Sequence, residues 1–265
     1  MYHDFESYTI TRRSFLKGAG AVGAAGLLAA CGGSSSGTAA SASSASSGAA
    51  ASGKGLSELF TYETSGREIE SWNMLYSQLA TDFNVTTNII DGLISFDNYG
   101  KPVPALAKSW EHNEDSTVWT FHLRDDVDWV DMNGEVQDHL TSKDFLVGFE
   151  WVLNAKKNQA ANTSMPSTTV VGAADYYDKT YGMDDAAGEA LTYEDMLAAG
   201  VGIDAPDDYT VVYTCMNPCP YFDTVASYVC CYPAPPALVE KLGVEGFRGV
   251  DYTQQWCCGP YLIEE

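Results

Sequence analysis

The stretch Val118-Trp119-Thr120-Phe121-His122-Leu123-Arg124 alternates large apolar with polar side chains, and a strand, whose side chains repeat every two residues, must then bury one face. Ser109 to His112 precedes it across the polar turn Asn113-Glu114-Asp115-Ser116-Thr117. The two runs form an antiparallel hairpin with Trp119, Phe121 and Leu123 directed to a core. Trp129 closes the unit. Thr141-Ser142-Lys143-Asp144 then opens a helix, because a hydroxyl can cap free backbone N–H groups and a carboxylate stands near the positive end of the helix dipole. Phe145, Phe149, Val152 and Leu153 fall on one face of that helix, which packs on the sheet.

The remaining chain gives weaker signals of the same mixed kind. Leu56 to Tyr62 reads as a first strand, and Leu75, Leu79, Phe83 and Ile90 give Ser71 to Ile90 the spacing of one or two helices. Leu93 to Phe96 is a short strand, followed by a turn at Asn98-Tyr99-Gly100-Lys101 and a bend at Pro102-Val103-Pro104. Helical pieces are expected around Ala173 to Tyr177 and Tyr193 to Ala199, joined by polar loops, and a β-branched strand over Tyr209 to Cys215. Pro218 to Pro236 is too rich in proline for anything but irregular structure and short helix. The fold class is α/β, a mixed α+β arrangement with antiparallel pairing locally.

The first 55 residues belong to a different regime. Arg12 and Arg13 precede a weakly apolar run from Gly18 to Ala30, the layout of a secretory signal. Thirteen residues at about 1.5 Å each fall short of a hydrocarbon core of about 30 Å. Arg12-Arg13-Ser14-Phe15-Leu16-Lys17 resembles the twin-arginine export signal, a route that carries folded proteins out of a reducing cytoplasm. Leu28-Ala29-Ala30-Cys31 resembles the bacterial lipobox, which implies cleavage before Cys31 and a diacylglycerol on its sulfur. Gly18-Ala19-Gly20-Ala21-Val22-Gly23 spells a dinucleotide fingerprint but lacks the strand before it that such a site requires. From Gly32 to Gly55 the chain is almost entirely Ser, Ala, Gly and Thr and buries too little apolar surface to order itself. Residues 1–30 therefore read as a signal peptide, 31–55 as a lipidated tether and 56–265 as the folded body.

A formal charge of −22 argues against nucleic acid and anionic lipid as partners. Seven cysteines less Cys31 leave Cys215, Cys219, Cys230, Cys231, Cys257 and Cys258, an even number that in an exported protein suggests disulfides of undetermined pairing. Export in the folded state leaves them to pair late or stay free. The spacings do not suit a zinc site, and the acidic run Asp125-Asp126-Val127-Asp128 lacks calcium-loop spacing. No nucleophile elbow, metalloprotease helix or phosphate-binding loop occurs, so the residues point away from an enzyme and call for no cofactor.

Residues 100–131, "GKPVPALAKSWEHNEDSTVWTFHLRDDVDWVD", and 140–154, "LTSKDFLVGFEWVLN", resemble the extracellular solute-binding proteins of peptide and nickel ABC transporters. "IDAPDDYTVVYTCMNPCPYF" and "CGPYLIEE" follow in the same order, and Ala174-Asp175-Tyr176-Tyr177 is most similar to the oligopeptide-binding branch. The family pattern of Trp-x-Asp-Gly is here interrupted by Met132-Asn133-Gly134, which implies a variant hairpin tip. Members of the family are about twice as long, so the resemblance implies the first lobe of a periplasmic-binding-protein-like, two-lobed clamp. It implies a monomeric receptor that captures an oligopeptide through main-chain hydrogen bonds and passes it to ABC permease subunits, while the lipid holds it to the outer face of the membrane. Nickel, haem or an oligosaccharide on the same fold is the alternative ligand, and a truncated fragment without function is the other alternative. The residues it points to in this lobe are Glu63, Thr64 and Ser65 after the first strand and Tyr261 near the hinge.

Overall fold

The strand Val118–Leu123 buries every second residue as its alternation requires. Phe121 and Leu123 are wholly buried and Trp119 nearly so. The computed structural model that shows this describes residues 8–11, 59–62, 68–159 and 164–264. The hairpin partner Ala107–His112 pairs antiparallel with Val118–Leu123, and the 113–117 turn closes through Asn113, whose Oδ1 accepts from the Thr117 and Val118 N–H groups. On the other side of Val118–Leu123 lies Thr210–Thr214, with Val211 opposite Phe121 and Tyr213 opposite Trp119. The strand Ile203–Asp207 pairs with the far edge of Thr210–Thr214 and completes the four-stranded sheet.

Helix Ser142–Leu153 packs on this sheet. Thr141 and Asp144 form a capping box, and the Asp144 Oδ1 also accepts from the buried Trp129 indole nitrogen at 2.6 Å. Burial raises the Asp144 carboxyl to about 6, although these bonds and those of Thr141 favour its charged form. Phe149 from the helix meets Tyr213 edge-on, and Phe121, Tyr213 and Phe222 complete an aromatic core between helix and sheet. Behind the helix, Glu150 accepts from Lys157 Nζ at 2.7 Å and from the Tyr176 hydroxyl at 3.0 Å. That buried pair ties the helix to Ala173–Tyr181, which extends the helical piece expected there.

Between Trp129 and the helix, the variant tip is a second hairpin: Asp128–Val130 pairs with Val136–His139, and Gly134 takes the left-handed φ of +79°. Pro102–Pro104 is a strand rather than a bend, paired with Ile94–Phe96. Asp97 N–H donates to the Lys101 carbonyl, which sets an alternation that puts both prolines where no ladder donor is needed.

One other expectation changes, and two segments without an assigned element gain one. Of the helical span Ser71 to Ile90, only Ala80–Thr86 is helix, because the buried Asp82 carboxylate accepts from the Glu70 and Ser71 N–H groups and the Ser77 hydroxyl and gathers residues 70–77 into turns around itself. Ile203–Asp207, to which the sequence reading assigned no element, is an edge strand. Pro236–Arg248 is a 13-residue helical stretch, kinked where Gly243 has φ +68°, and it begins where proline suits the first helical turn.

A second sheet joins distant parts of the chain. Tyr8–Thr11 lies between Leu59–Tyr62 and Leu262–Glu264, antiparallel to both. The first of these segments falls within the expected signal peptide, and nothing in the sequence reading gave it a place in a sheet. Leu59–Tyr62 falls within the expected strand over Leu56 to Tyr62, whose first three residues lie outside the described ones. All six cysteines after Cys31 are free and buried, so none of the suggested disulfides is formed.

Candidate ligand-binding face

Glycine, proline and tyrosine at 259–261 fold onto the turn that follows helix Ala80–Thr86. Cys258 and Gly259 N–H groups donate to the Ile89 carbonyl at 3.1 and 2.8 Å, and Tyr261 N–H donates to the Asn88 carbonyl at 3.1 Å. A Cβ on Gly259 would stand 2.7 Å from the Ile89 carbonyl carbon, so only glycine permits this approach. Tyr261 is half-buried there, and the chain runs straight on into the strand Leu262–Glu264.

The register of the three-stranded sheet separates the expected ligand residues. Leu262 and Leu59 are both level with Thr11, whereas Thr61 and Glu264 are both level with Thr9. Tyr261 therefore lies at the end where Leu59 enters, and Tyr62 leads out of the opposite end, about 10 to 13 Å away at about 3.3 Å per residue. Glu63, Thr64 and Ser65 lie outside the described residues, as do Arg12, Arg13 and Cys31. The sheet does not bring Tyr261 beside the strand end that carries Glu63.

Two concave sites draw on the segments 87–96 and 68–76. The smaller, about 250 Å³, is lined by Asp91, Gly92, Phe96, Ala105 and Tyr232. The Tyr232 ring occupies the space a side chain at Gly92 would need. Burial raises the Asp91 carboxyl to about 6, while the Arg124 charge pulls it down. The larger, about 530 Å³, opens between Glu70, Trp72 and Tyr76 on one side and Glu245, Arg248 and Asp251 on the other. Trp72 packs on Tyr252 with ring centroids 5.5 Å apart, and Tyr76 donates its hydroxyl to Gln159 Oε1 at 3.0 Å. Arg248 is committed elsewhere, to the Lys156 and Lys157 carbonyls and to Glu189.

The larger site begins a few residues after Ser65, on the segment folded around Asp82. The sequence reading missed Trp72, Tyr76 and Asp251 there. A tryptophan and a tyrosine among Glu68, Glu70 and Asn73 were the available signal, obscured because the segment was read as helix. Chemically the face offers carboxylates, aromatic rings and strand edges, which suit binding of an extended polar chain. Burial raises the Cys215 thiol to about 12 and Cys257 higher still, so neither of these two starts a nucleophilic attack on a ligand. Among the described residues no three His, Cys, Asp or Glu side chains are grouped to hold a metal ion.

The hairpin, the capped helix and the 258–261 segment bonded to Asn88 and Ile89 make up one mixed α/β lobe. Residues 101–265 match the sequence profile of bacterial extracellular solute-binding proteins, family 5 (middle), and the chain belongs to that family. Residues 9–29 match the twin-arginine translocation pathway signal sequence, which marks the protein for export. Oligopeptide-binding protein SarA of Streptococcus gordonii is 29% identical over 241 residues, covering 91% of this chain and 32% of that protein. Oligopeptide-binding protein AmiA of Streptococcus pneumoniae is 30% identical over 74% of this chain and 27% of its own length. Haemophilus influenzae OppA, solved in complex with RPPGFSPFR, superposes with a TM-score of 0.56 at 31% identity, over 67% of this chain and 31% of that one. Listeria monocytogenes OppA shares the fold, with a TM-score of 0.61 at 21% identity over 75% of this chain. The chain thus spans about a third of the length of the relatives it matches.

Proposed function

We propose that this chain is the first lobe of a lipid-anchored receptor that captures oligopeptides outside the cell and delivers them to the permease subunits of an ABC importer. The observation that supports it most is the likeness, in both sequence and fold, to a binding protein solved with the nonapeptide RPPGFSPFR. In this reading the signal 1–30 is cut before Cys31, the sulfur carries the lipid, residues 31–55 form the tether, and 56–265 contribute to a two-lobed clamp that works as a monomer.

Main-chain groups carry the recognition. Removal of the signal takes Tyr8–Thr11 with it, which frees the facing edges of Leu59–Tyr62 and Leu262–Glu264 for hydrogen bonding to another extended segment. Glu63, Thr64 and Ser65 follow the first of these edges and meet the ligand there, while Tyr261 borders the hinge. Carboxylates along the face favour peptides with a free amino terminus or basic side chains.

Calorimetric titration of the purified native protein with RPPGFSPFR tests the reading. Saturable binding at micromolar or lower concentration is expected, weakened at least tenfold by acetylation of the peptide's amino terminus. Heat released by nickel ion or haem with none from the peptide would transfer the function to the alternative ligands. Lipid attachment is checked separately by the mass of the amino-terminal peptide, which should carry a diacylglycerol on Cys31.

A further inference from the structure

Cys215 and Cys219 stand at the two ends of a short loop whose middle residues Met216, Asn217 and Pro218 are exposed, while both cysteines are buried. Each end is pinned independently of the other. Cys215 N–H donates to the Thr117 carbonyl at 2.7 Å and the residue bridges Val170, and Cys219 N–H donates to the carbonyl of the adjacent Ser116 at 3.0 Å. Both side chains are buried beside those neighbouring carbonyls, and Cys219 adds to the burial that holds the Cys215 thiol up. Tyr221, two residues beyond Cys219, is 63% exposed, and the Cys219 sulfur raises its phenol.

The other four thiols are differently placed. Cys230 and Cys231 are sequence neighbours with sulfurs 3.9 Å apart, and Cys257 and Cys258 are neighbours too. Adjacent Cα atoms are about 3.8 Å apart across a trans peptide, below the usual disulfide range of about 4.4 to 6.8 Å. Cys257 is further held by reciprocal backbone hydrogen bonds with Val130, and Cys258 by its bond to Ile89. A protein exported already folded can join only thiols that its fold has brought together.

We propose that Cys215 and Cys219 are a preformed redox pair, reduced while the chain folds in the cytoplasm and closed to a disulfide after export. The bond forms by exchange with an external disulfide, either a dithiol–disulfide oxidoreductase or a small-molecule disulfide. Each sulfur gives up its proton, the pair surrenders two electrons, one sulfur–sulfur bond forms, and the oxidant's own bond opens to two thiols. Attack starts at Cys219, the sulfur beside the exposed tyrosine. Closure ties the two ends of the loop to each other and leaves the peptide-binding face untouched. The inference rests on export, not on the identity of the ligand.

Met216 lies between the two cysteines, so cyanogen bromide separates them unless their sulfurs are joined. Native exported protein, alkylated in denaturant without reduction and then cleaved, should yield the fragments on either side of Met216 linked to each other. Their mass should be lower by about 2 Da than the sum of the free-thiol fragments, with Cys230, Cys231, Cys257 and Cys258 alkylated. The Arg12→Lys, Arg13→Lys precursor, retained inside the cell, should give separate fragments with both cysteines alkylated. Purified reduced protein exposed to oxidised glutathione should close the same bond, and this arm stands even if export takes another route. Separate, alkylated fragments from both the exported and the glutathione-treated protein would overturn the proposal, as would a bond from either cysteine to any of the other four.

Discussion

The two sheets of this lobe are built on opposite terms. In the four-stranded sheet, Ala107–His112 is joined to Val118–Leu123 and Ile203–Asp207 to Thr210–Thr214 by tight local turns, and one non-local pairing, Val118–Leu123 with Thr210–Thr214, unites the hairpins. Its core faces are dense with Trp119, Phe121 and Tyr213. The three-stranded sheet takes its members from residues 8–11, 59–62 and 262–264, with no local turn to set any register. One sheet is held by side chains that could hardly pack otherwise, the other by main-chain pairing over very long loops, whose closure entropy must be met by the rest of the fold. Stability belongs to the first and exchangeable binding edges to the second.

The largest effect tests the first sheet. Phe121→Ala removes a wholly buried ring that touches Trp119, Tyr213 and Phe222. It should cost about 3 to 5 kcal/mol in urea unfolding followed by tryptophan fluorescence. A loss under about 1 kcal/mol would show that the aromatic core is not the source of stability.

Asp91, at the junction between the sheets, gives the next effect. Its folded-state value of about 6 lies above the ordinary carboxylate value, so the folded chain holds the proton more tightly than the unfolded one. The stabilisation is full below about pH 4 and is lost as pH rises to about 6, an effect on the order of 2 kcal/mol. Urea midpoints from pH 4 to 7 should fall along that window, and Asp91→Asn should flatten its share of the slope. Asp144, raised for the same reason, keeps its own share in that variant.

Thr141→Ala removes one half of the capping box and should cost about 1 kcal/mol in the same assay, with Thr141→Ser restoring most of it. The smallest global effect belongs to the second sheet. Ile10→Pro deletes a backbone donor from the middle strand of the precursor and should change overall stability by less than about 1 kcal/mol. Amide exchange at Leu59–Tyr62 and Leu262–Glu264 should nevertheless quicken in that precursor. Unchanged exchange would mean that Tyr8–Thr11 does not hold the two edges.

What could be read from the sequence follows the same division. The 107–123 hairpin and the Ser142–Leu153 helix were legible because alternation, turn residues and a capping pair all agree within a few residues. The strand Ile203–Asp207 was hidden by its acids and a proline, tolerated because it is an edge. Segment 70–79 misled because Leu75 and Leu79 mimic a helix, while the buried Asp82 that gathers its backbone carries no hydrophobic signal. Gly259-Pro260 marked the bend before Tyr261, yet the strand register that sets it apart from Tyr62 depends on pairing across more than two hundred residues. Trp72 and Tyr76 entered the face only once that segment had folded.

The most direct test of the account is hydrogen exchange of the processed native protein with and without RPPGFSPFR. Protection should rise at 59–62, at 68–76 and at 258–264, and stay unchanged across 107–123. Protection confined to 107–123, or unchanged everywhere under saturating peptide, would contradict the claim that the hinge sheet and its flanking face receive the ligand.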